Sequence, residues 1–447
     1  MRAQVRPAGP PLPAGPRSAG RGADARCQTD PMDAAQHIND LAAFVAASPS
    51  SYHAVAEIAV RLQAGGFSQQ LETGPWRDLP AGYVIRDGAI IAWRLPAETA
   101  GPVGFRLVGA HTDSPGFKLK PQPASYAFGF AQAAMEVYGG PLLNSWLDRE
   151  FGLAGRITLR SGETSLVSSP AWLRIPQLAP HLDRSVNDSL HLDKQAHLKP
   201  IYATGSADIL AGLAAMVDAS RDDIDGFDLF AAVTEAPALI GIAEEFLASA
   251  RLDNLSSVHA GLTALLAAQA SDQVQVLACF DHEEIGSDTR SGAAGPFLED
   301  VLKRISASLG WIGDACYQAL ASSFMISADA GHSIHPNYPG LHDPDHQPIL
   351  NAGPLLKVNA NQRYTTEGPG TARWLRICRE AGVPTQAFVS NNSVPCGSTI
   401  GPLTATRLGI ESIDVGIPLL SMHSARELCG VADAAWLAEA LTVHYLR

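Results

Sequence analysis

Apolar residues recur at helical spacing near the start of the chain. Ile38, Leu41, Phe44 and Val45 predict a helix over about 34–47, and after the break Ser48-Pro49-Ser50-Ser51 a second helix runs from Tyr52 to Ala64, closed by Gly65-Gly66. The pattern then changes to short β-like runs. Tyr83-Val84-Ile85 and Ala89 to Trp93 flank the turn Arg86-Asp87-Gly88, which reads as a hairpin. Largely apolar runs follow at Phe105 to Ala110, Val274 to Phe280 and Phe324 to Ala328 and read as buried strands, and Leu355 to Val358 and Ser412 to Gly416 read as further strands. Helices are expected at 253–268 and 295–309, and a further turn enters one at Ile400. Between about Lys118 and Pro237 this αβ pattern stops, and Pro, Gly, short β-like runs and polar clusters take its place. The expectation is an α/β catalytic domain, with a mixed sheet flanked by helices, interrupted by an inserted β-rich domain over 118–238. Its two parts are 32–117 and 239–447. No internal repeat is present.

Residues 1–31 are rich in Pro, Gly, Ala and Arg without apolar periodicity and are expected to be disordered. Met32, followed at once by the first helical pattern, is a candidate for the natural start. The chain has 447 residues and a net charge of -13 with no basic stripe, which argues against nucleic-acid binding. Its six cysteines lie far apart, without a Cys-x-x-Cys pair, which argues against a disulfide framework and a thiolate metal site. No apolar stretch approaches the roughly 20 residues of a membrane span, and the N-terminus lacks a signal core, so a cytoplasmic protein is expected.

The chemistry concentrates where the apolar runs end. The run Val274 to Phe280 stops in Asp281-His282-Glu283-Glu284, so a buried strand delivers two adjacent glutamates. One can hold a metal ion while the other takes a proton from water. An isolated Glu-Glu pair equally suits a solvated acidic turn. The strand from Phe105 ends in His111-Thr112-Asp113, a metal ligand followed by a carboxylate able to fix its tautomer, or a packed histidine. Asp253 stands where a helix N-cap would stand, which by itself explains it. Asp329 and His423 follow the strands ending at Ala328 and Gly416, and in open α/β sheets that carboxyl edge is where sites form. Together His111, Asp253, Glu284, Asp329 and His423 have the donor types for a pair of zinc ions with one bridging carboxylate, and Glu283 is left over. Manganese or cobalt would suit the same oxygen and nitrogen donors.

Ten motifs carry a resemblance: SPSSYHAV at Ser48, HTDSP at His111, WLDR at Trp146, HLDR at His181, RLDN at Arg251, DHEEIGS at Asp281, SAD at Ser327, HPNY at His335, PCG at Pro395 and MHS at Met422. In this order they resemble the aspartyl aminopeptidase family of dizinc metallopeptidases, over about 34–447. The resemblance implies that Asp253 bridges two zinc ions, with His111 and Asp329 on one and Glu284 and His423 on the other, and that Glu283 is the general base. It implies that Asp113 orients His111 and that His181 reaches a catalytic site from the inserted domain, either that of its own subunit or, across a dimer interface, that of a neighbour. Lys357, in the matching Lys-Val-Asn stretch, would pair with an acidic N-terminal side chain of a peptide substrate, although lysine is also common on strand edges. His332 and His335 would serve the substrate site or the subunit interface. His282 is expected to be a neighbour, not a ligand. The family also implies dimers assembled into a tetrahedral dodecamer. Rival readings are a dizinc aminopeptidase for neutral residues, an N-acyl amino acid deacylase, and a non-catalytic assembly or cargo protein.

Overall fold

The computed structural model describes residues 32–76 and 80–447; the arm expected to be disordered, 1–31, lies outside them. Four apolar runs do form parallel neighbours. Val274–Phe280, Phe105–His111, Phe324–Ala328 and Glu411–Gly416 lie side by side in the middle of a nine-stranded mixed sheet. The first three are buried at every residue, which is why their sequences show no alternation. The hairpin Ala81–Arg86 and Ala89–Arg94 extends one side antiparallel, and Leu355–Val358 with Gln386–Val389 extends the other. Helices cover both faces. Ala34–Ala46, Leu252–Ala267, Gly368–Ala381 and Val431–Leu446 pack on one, and Phe297–Ser308, Asp314–Ala321 and Ile400–Leu408 on the other.

The segment after His111 leaves this layer and builds a second sheet. Ile224–Val233 pairs with both Gly116–Ala127 and Glu150–Leu159, so the strands Gly116–Ala127, Phe130–Tyr138, Ile201–Thr204, Leu173–Arg174 and Glu150–Leu159 close into a barrel. Phe117, Trp146, Phe151, Leu153, Ile157 and Leu229 fill it. A five-stranded sheet, from Ala238–Ile240 to Gly331–His332, joins the parts beside the carboxyl ends of the central strands. The expected α/β architecture with an inserted β-rich portion is therefore present.

Glycine is required where the site is framed. A Cβ at Gly416 would meet the Asp329 carbonyl oxygen at 1.7 Å, so only glycine lets the end of its strand run against the residue that carries Asp329.

The helix Val431–Leu446 also buries an ionisable group far from this edge. His444 is buried, with Nε2 3.0 Å from the Leu107 carbonyl oxygen, and burial, then the guanidinium groups of Arg106 and Arg373, push its pKa down to about 3. The unfolded chain takes up a proton near pH 6.5 that the folded chain refuses, so stability is higher above that pH and is lost as pH falls. Between pH 7 and pH 5 this group alone removes about 2 kcal/mol. In His444→Gln, chemical denaturation at the two pH values is expected to show a difference smaller by about that amount. An identical pH slope in variant and parent would refute the assignment.

Candidate metal centre

The central strands deliver their ends to one place. His111 closes its strand in register with Phe280, so the residues just after Phe280 emerge beside the imidazole. His111 Nε2 lies 3.4 Å from Asp253 Oδ1 and 3.4 Å from Asp329 Oδ1. His423 Nε2 lies 3.4 Å from Asp253 Oδ2 and 3.6 Å from Glu284 Oε2. Asp253 thus stands between the two histidines, one oxygen toward each. Donor atoms of His111, Asp253 and Glu284 lie within 4.8 Å of one another, and Asp253 Oδ1 is buried without a hydrogen-bond partner. Capping does not account for Asp253. The start of this helix has no side-chain cap bond, and the two oxygens of Asp253 face His111 and His423 instead of the backbone N–H groups of the first turn.

Both histidines are turned the same way. The Nδ1 of His423 is 3.0 Å from the Gly140 carbonyl oxygen, and that of His111 is 3.1 Å from the Asp113 carbonyl oxygen and 3.3 Å from Asp113 Oδ1. With Nδ1–H donating, each Nε2 presents its lone pair to the carboxylates, as a metal ligand must. Asp113 does more than orient His111. Its carboxylate accepts the backbone N–H groups of Glu283 (3.0 Å) and Glu284 (3.1 Å) and the Tyr138 hydroxyl (2.7 Å). One buried side chain therefore holds a histidine and the backbone of both glutamates.

Glu427 plays the matching part on the other side, and the sequence reading missed it. Its Oε2 accepts Asp253 N–H at 2.9 Å and its Oε1 accepts His423 N–H at 2.7 Å. The signal was a carboxylate four residues beyond His423, hidden because its partners are backbone groups. Tyr138 was missed for a similar reason, since it comes from the barrel.

Electrostatics favours a bound cation. Burial opposes charge on His111, but Asp113, Asp253 and Asp329 outweigh it and raise its pKa well above the ordinary value. Burial also opposes charge on His423, and Asp253 and Glu284 raise it to about 10. Burial pushes Glu283 up to about 8, with Asp329, Asp113 and Asp253 adding to the shift and His111 opposing it, and it raises Glu284 well above the carboxylate range. Clustered carboxylates around two imidazoles seek positive charge, and the hard and borderline donors present fit zinc.

The two glutamates are unequal. Glu284 faces His423, whereas the Glu283 carboxylate has no hydrogen bond among the described residues. Lys357 is not on a sheet edge. It lies between Phe388 and Asp414 in register, is 1% exposed, and its Nζ donates to the Ala330 carbonyl oxygen (2.6 Å) 3.6 Å from Asp329 Oδ2. His332 forms a short strand opposite Leu419, its ring 6.1 Å from that of Phe388, while His335 packs within its own loop on Tyr338. His282 stays outside the cluster, 3.6 Å from Asp281 and 3.0 Å from Thr289 Oγ1. His181 is exposed between Leu173–Arg174 and Ile201–Thr204, and has no hydrogen bond to the site among the described residues.

Residues 44–445 match the model of the aminopeptidase I zinc metalloprotease family, M18. The chain belongs to the M18 family. The relatives agree: a probable M18 family aminopeptidase 2 of Streptomyces avermitilis is 52% identical over 91% of this chain and 96% of its own length, and that of Streptomyces coelicolor is 49% identical over 91% and 96%. Among solved structures, Ape4 in complex with Nbr1 has a TM-score of 0.89 at 35% identity, covering 92% of this chain and 86% of its own. The S. cerevisiae mApe1 dodecamer has a TM-score of 0.80 at 28% identity, covering 91% and 95%. This M18 protein is thus a zinc metalloaminopeptidase, a hydrolase, and the resemblance to aspartyl aminopeptidases, which are M18 members, is borne out. The non-catalytic reading falls with it.

Proposed function

We propose that this M18 aminopeptidase releases N-terminal Asp and Glu from peptides in the cytoplasm, using two zinc ions per subunit. The observation that carries the substrate reading is Lys357, an ammonium group buried beside the candidate metal centre. A buried cation there rewards a carboxylate side chain and rejects an apolar one. His111 and Asp329 would hold one ion, Glu284 and His423 the other, with Asp253 between them. Zinc bound there supplies Lewis acidity, lowering the pKa of water and polarising the scissile carbonyl. Glu283, the free carboxylate, takes a proton from the attacking water and passes it to the departing amine. Asp113 and Glu427 keep the surrounding groups in place.

The test is a peptide panel. In Lys357→Met the ratio of kcat/KM for an Asp-peptide to that for a Leu-peptide is expected to fall by about 100-fold, the worth of a charge-assisted contact of roughly 3 kcal/mol. An equal fall for both peptides would leave the neutral-residue reading in possession. One observation favours that second reading: the Lys357 ammonium already serves the Ala330 carbonyl and Asp329.

Assembly follows the mApe1 dodecamer in this proposal, through dimers made by the inserted β-rich portion. His181, exposed on that portion, would then complete a neighbour's site and stabilise the oxyanion. His181→Ala is expected to lower kcat by about 10²–10³-fold with dimers intact by light scattering. Unchanged turnover would remove His181 from the reaction.

A further inference from the structure

Beside Lys357 in the sheet lies a second charged residue that the reading above does not use. Asp414 is the register partner of Lys357, is fully buried, and has no ion-pair partner among the described residues. A buried carboxylate held only by neutral donors is costly, so its donors matter. Oδ2 accepts the Thr365 N–H at 2.6 Å and the Thr365 hydroxyl at 2.8 Å, and Oδ1 accepts the Thr399 hydroxyl at 2.5 Å. The Asp414 N–H in turn donates to Thr366 Oγ1 at 3.0 Å. The helix Ile400–Leu408 begins directly on this carboxylate. A Cβ at Gly401 would sit 2.6 Å from Oδ1.

The two segments tied in this way meet over Lys357. Thr365 follows Tyr364, whose buried ring lies 5.4 Å from Lys357 Nζ. Thr399 closes the segment that carries Cys396, which packs against the cluster of Leu355, Tyr364 and Phe388. Ser398 Oγ also reaches the Arg363 carbonyl oxygen at 3.4 Å. Among the described residues, no other carboxylate of the sheet accepts a hydrogen bond from either segment.

We propose that Asp414 is a positioning residue for substrate specificity, clamping the Tyr364 and Cys396 segments so that the Lys357 ammonium meets an acidic side chain in one fixed orientation. The inference rests on the acidic-substrate reading of Lys357. Among the described residues Asp414 has no hydrogen bond or ion pair with a candidate metal ligand, so its effect is felt in selection of substrate and not in turnover once substrate is bound.

Kinetics with the zinc-loaded full chain tests this. In Asp414→Asn one amide N–H must face a donor, so a tie is lost at unchanged shape. The Asp-peptide to Leu-peptide ratio of kcat/KM is expected to fall about tenfold, the cost of roughly one hydrogen bond, through KM for the Asp-peptide. Zinc content is expected to match the parent. A fall shared equally by both peptides, or one carried by kcat, overturns the proposal. Should Asp414→Asn not fold, Thr399→Val removes a single hydroxyl tie, and an unaltered ratio there overturns it equally. Lys357→Met separates the two ideas. If Lys357→Met lowers the Asp-peptide to Leu-peptide ratio and Asp414→Asn does not, only the clamp fails; if Lys357→Met lowers turnover of both peptides equally, the acidic pocket fails and the clamp with it.

Discussion

Glu283→Gln is expected to lower kcat by about 10²–10⁴-fold, the usual worth of a positioned general base, while the zinc content per chain stays that of the parent. The expectation follows from the division between the two glutamates. Glu284 lies in the donor cluster opposite His423, whereas Glu283 is held by its backbone N–H on Asp113 and leaves its carboxylate free. Glutamine keeps that backbone bond and nearly the same volume but cannot take a proton. KM should therefore change little. Metal analysis beside steady-state kinetics reads both quantities, and turnover within tenfold of the parent, or loss of zinc, would show that the roles of the two glutamates are misassigned.

Asp113→Asn is expected to weaken zinc affinity by about 10–100-fold, read by competition with a chelator, and to lower kcat/KM in parallel at limiting zinc. The Asp113 carboxylate accepts from the Tyr138 hydroxyl and two backbone N–H groups beside His111 Nδ1. An amide in its place turns at least one N–H toward another donor, and the conflict loosens His111 and the glutamate turn together. Excess zinc should restore part of the activity, because the ligands themselves remain. If affinity stayed within twofold, the carboxylate would be a bystander.

Much of this candidate centre was legible in the sequence because most of the side chains that the structure brings together stand where long apolar runs stop. Strands buried on both faces are continuous in sequence, so their ends are sharp, and His111, Glu284 and Asp329 could be placed from them. Asp253 was harder. A residue at the head of an Ala- and Leu-rich helix looks like a cap, and only its carboxylate oxygens facing His111 and His423 show otherwise. The closing helix Val431–Leu446 left no stripe to read, since Ala434, Leu437, Ala438, Ala440 and Leu441 bury nearly all its sides. Asp414 and Glu427 escaped because a carboxylate serving backbone and hydroxyl groups follows no spacing rule. The register of the barrel strands, several with partly exposed faces, was equally out of reach.

The barrel is mechanically continuous with the chemistry. Just past its strand Phe130–Tyr138 lies the carbonyl of Gly140 that aims His423, and that strand's last residue gives the hydroxyl that braces Asp113. A tilt of the barrel against the nine-stranded sheet would swing one imidazole and unload the carboxylate behind the other. Contacts made on the outside of the barrel therefore have a lever on His423 and on Asp113, the two side chains of the candidate centre that it braces.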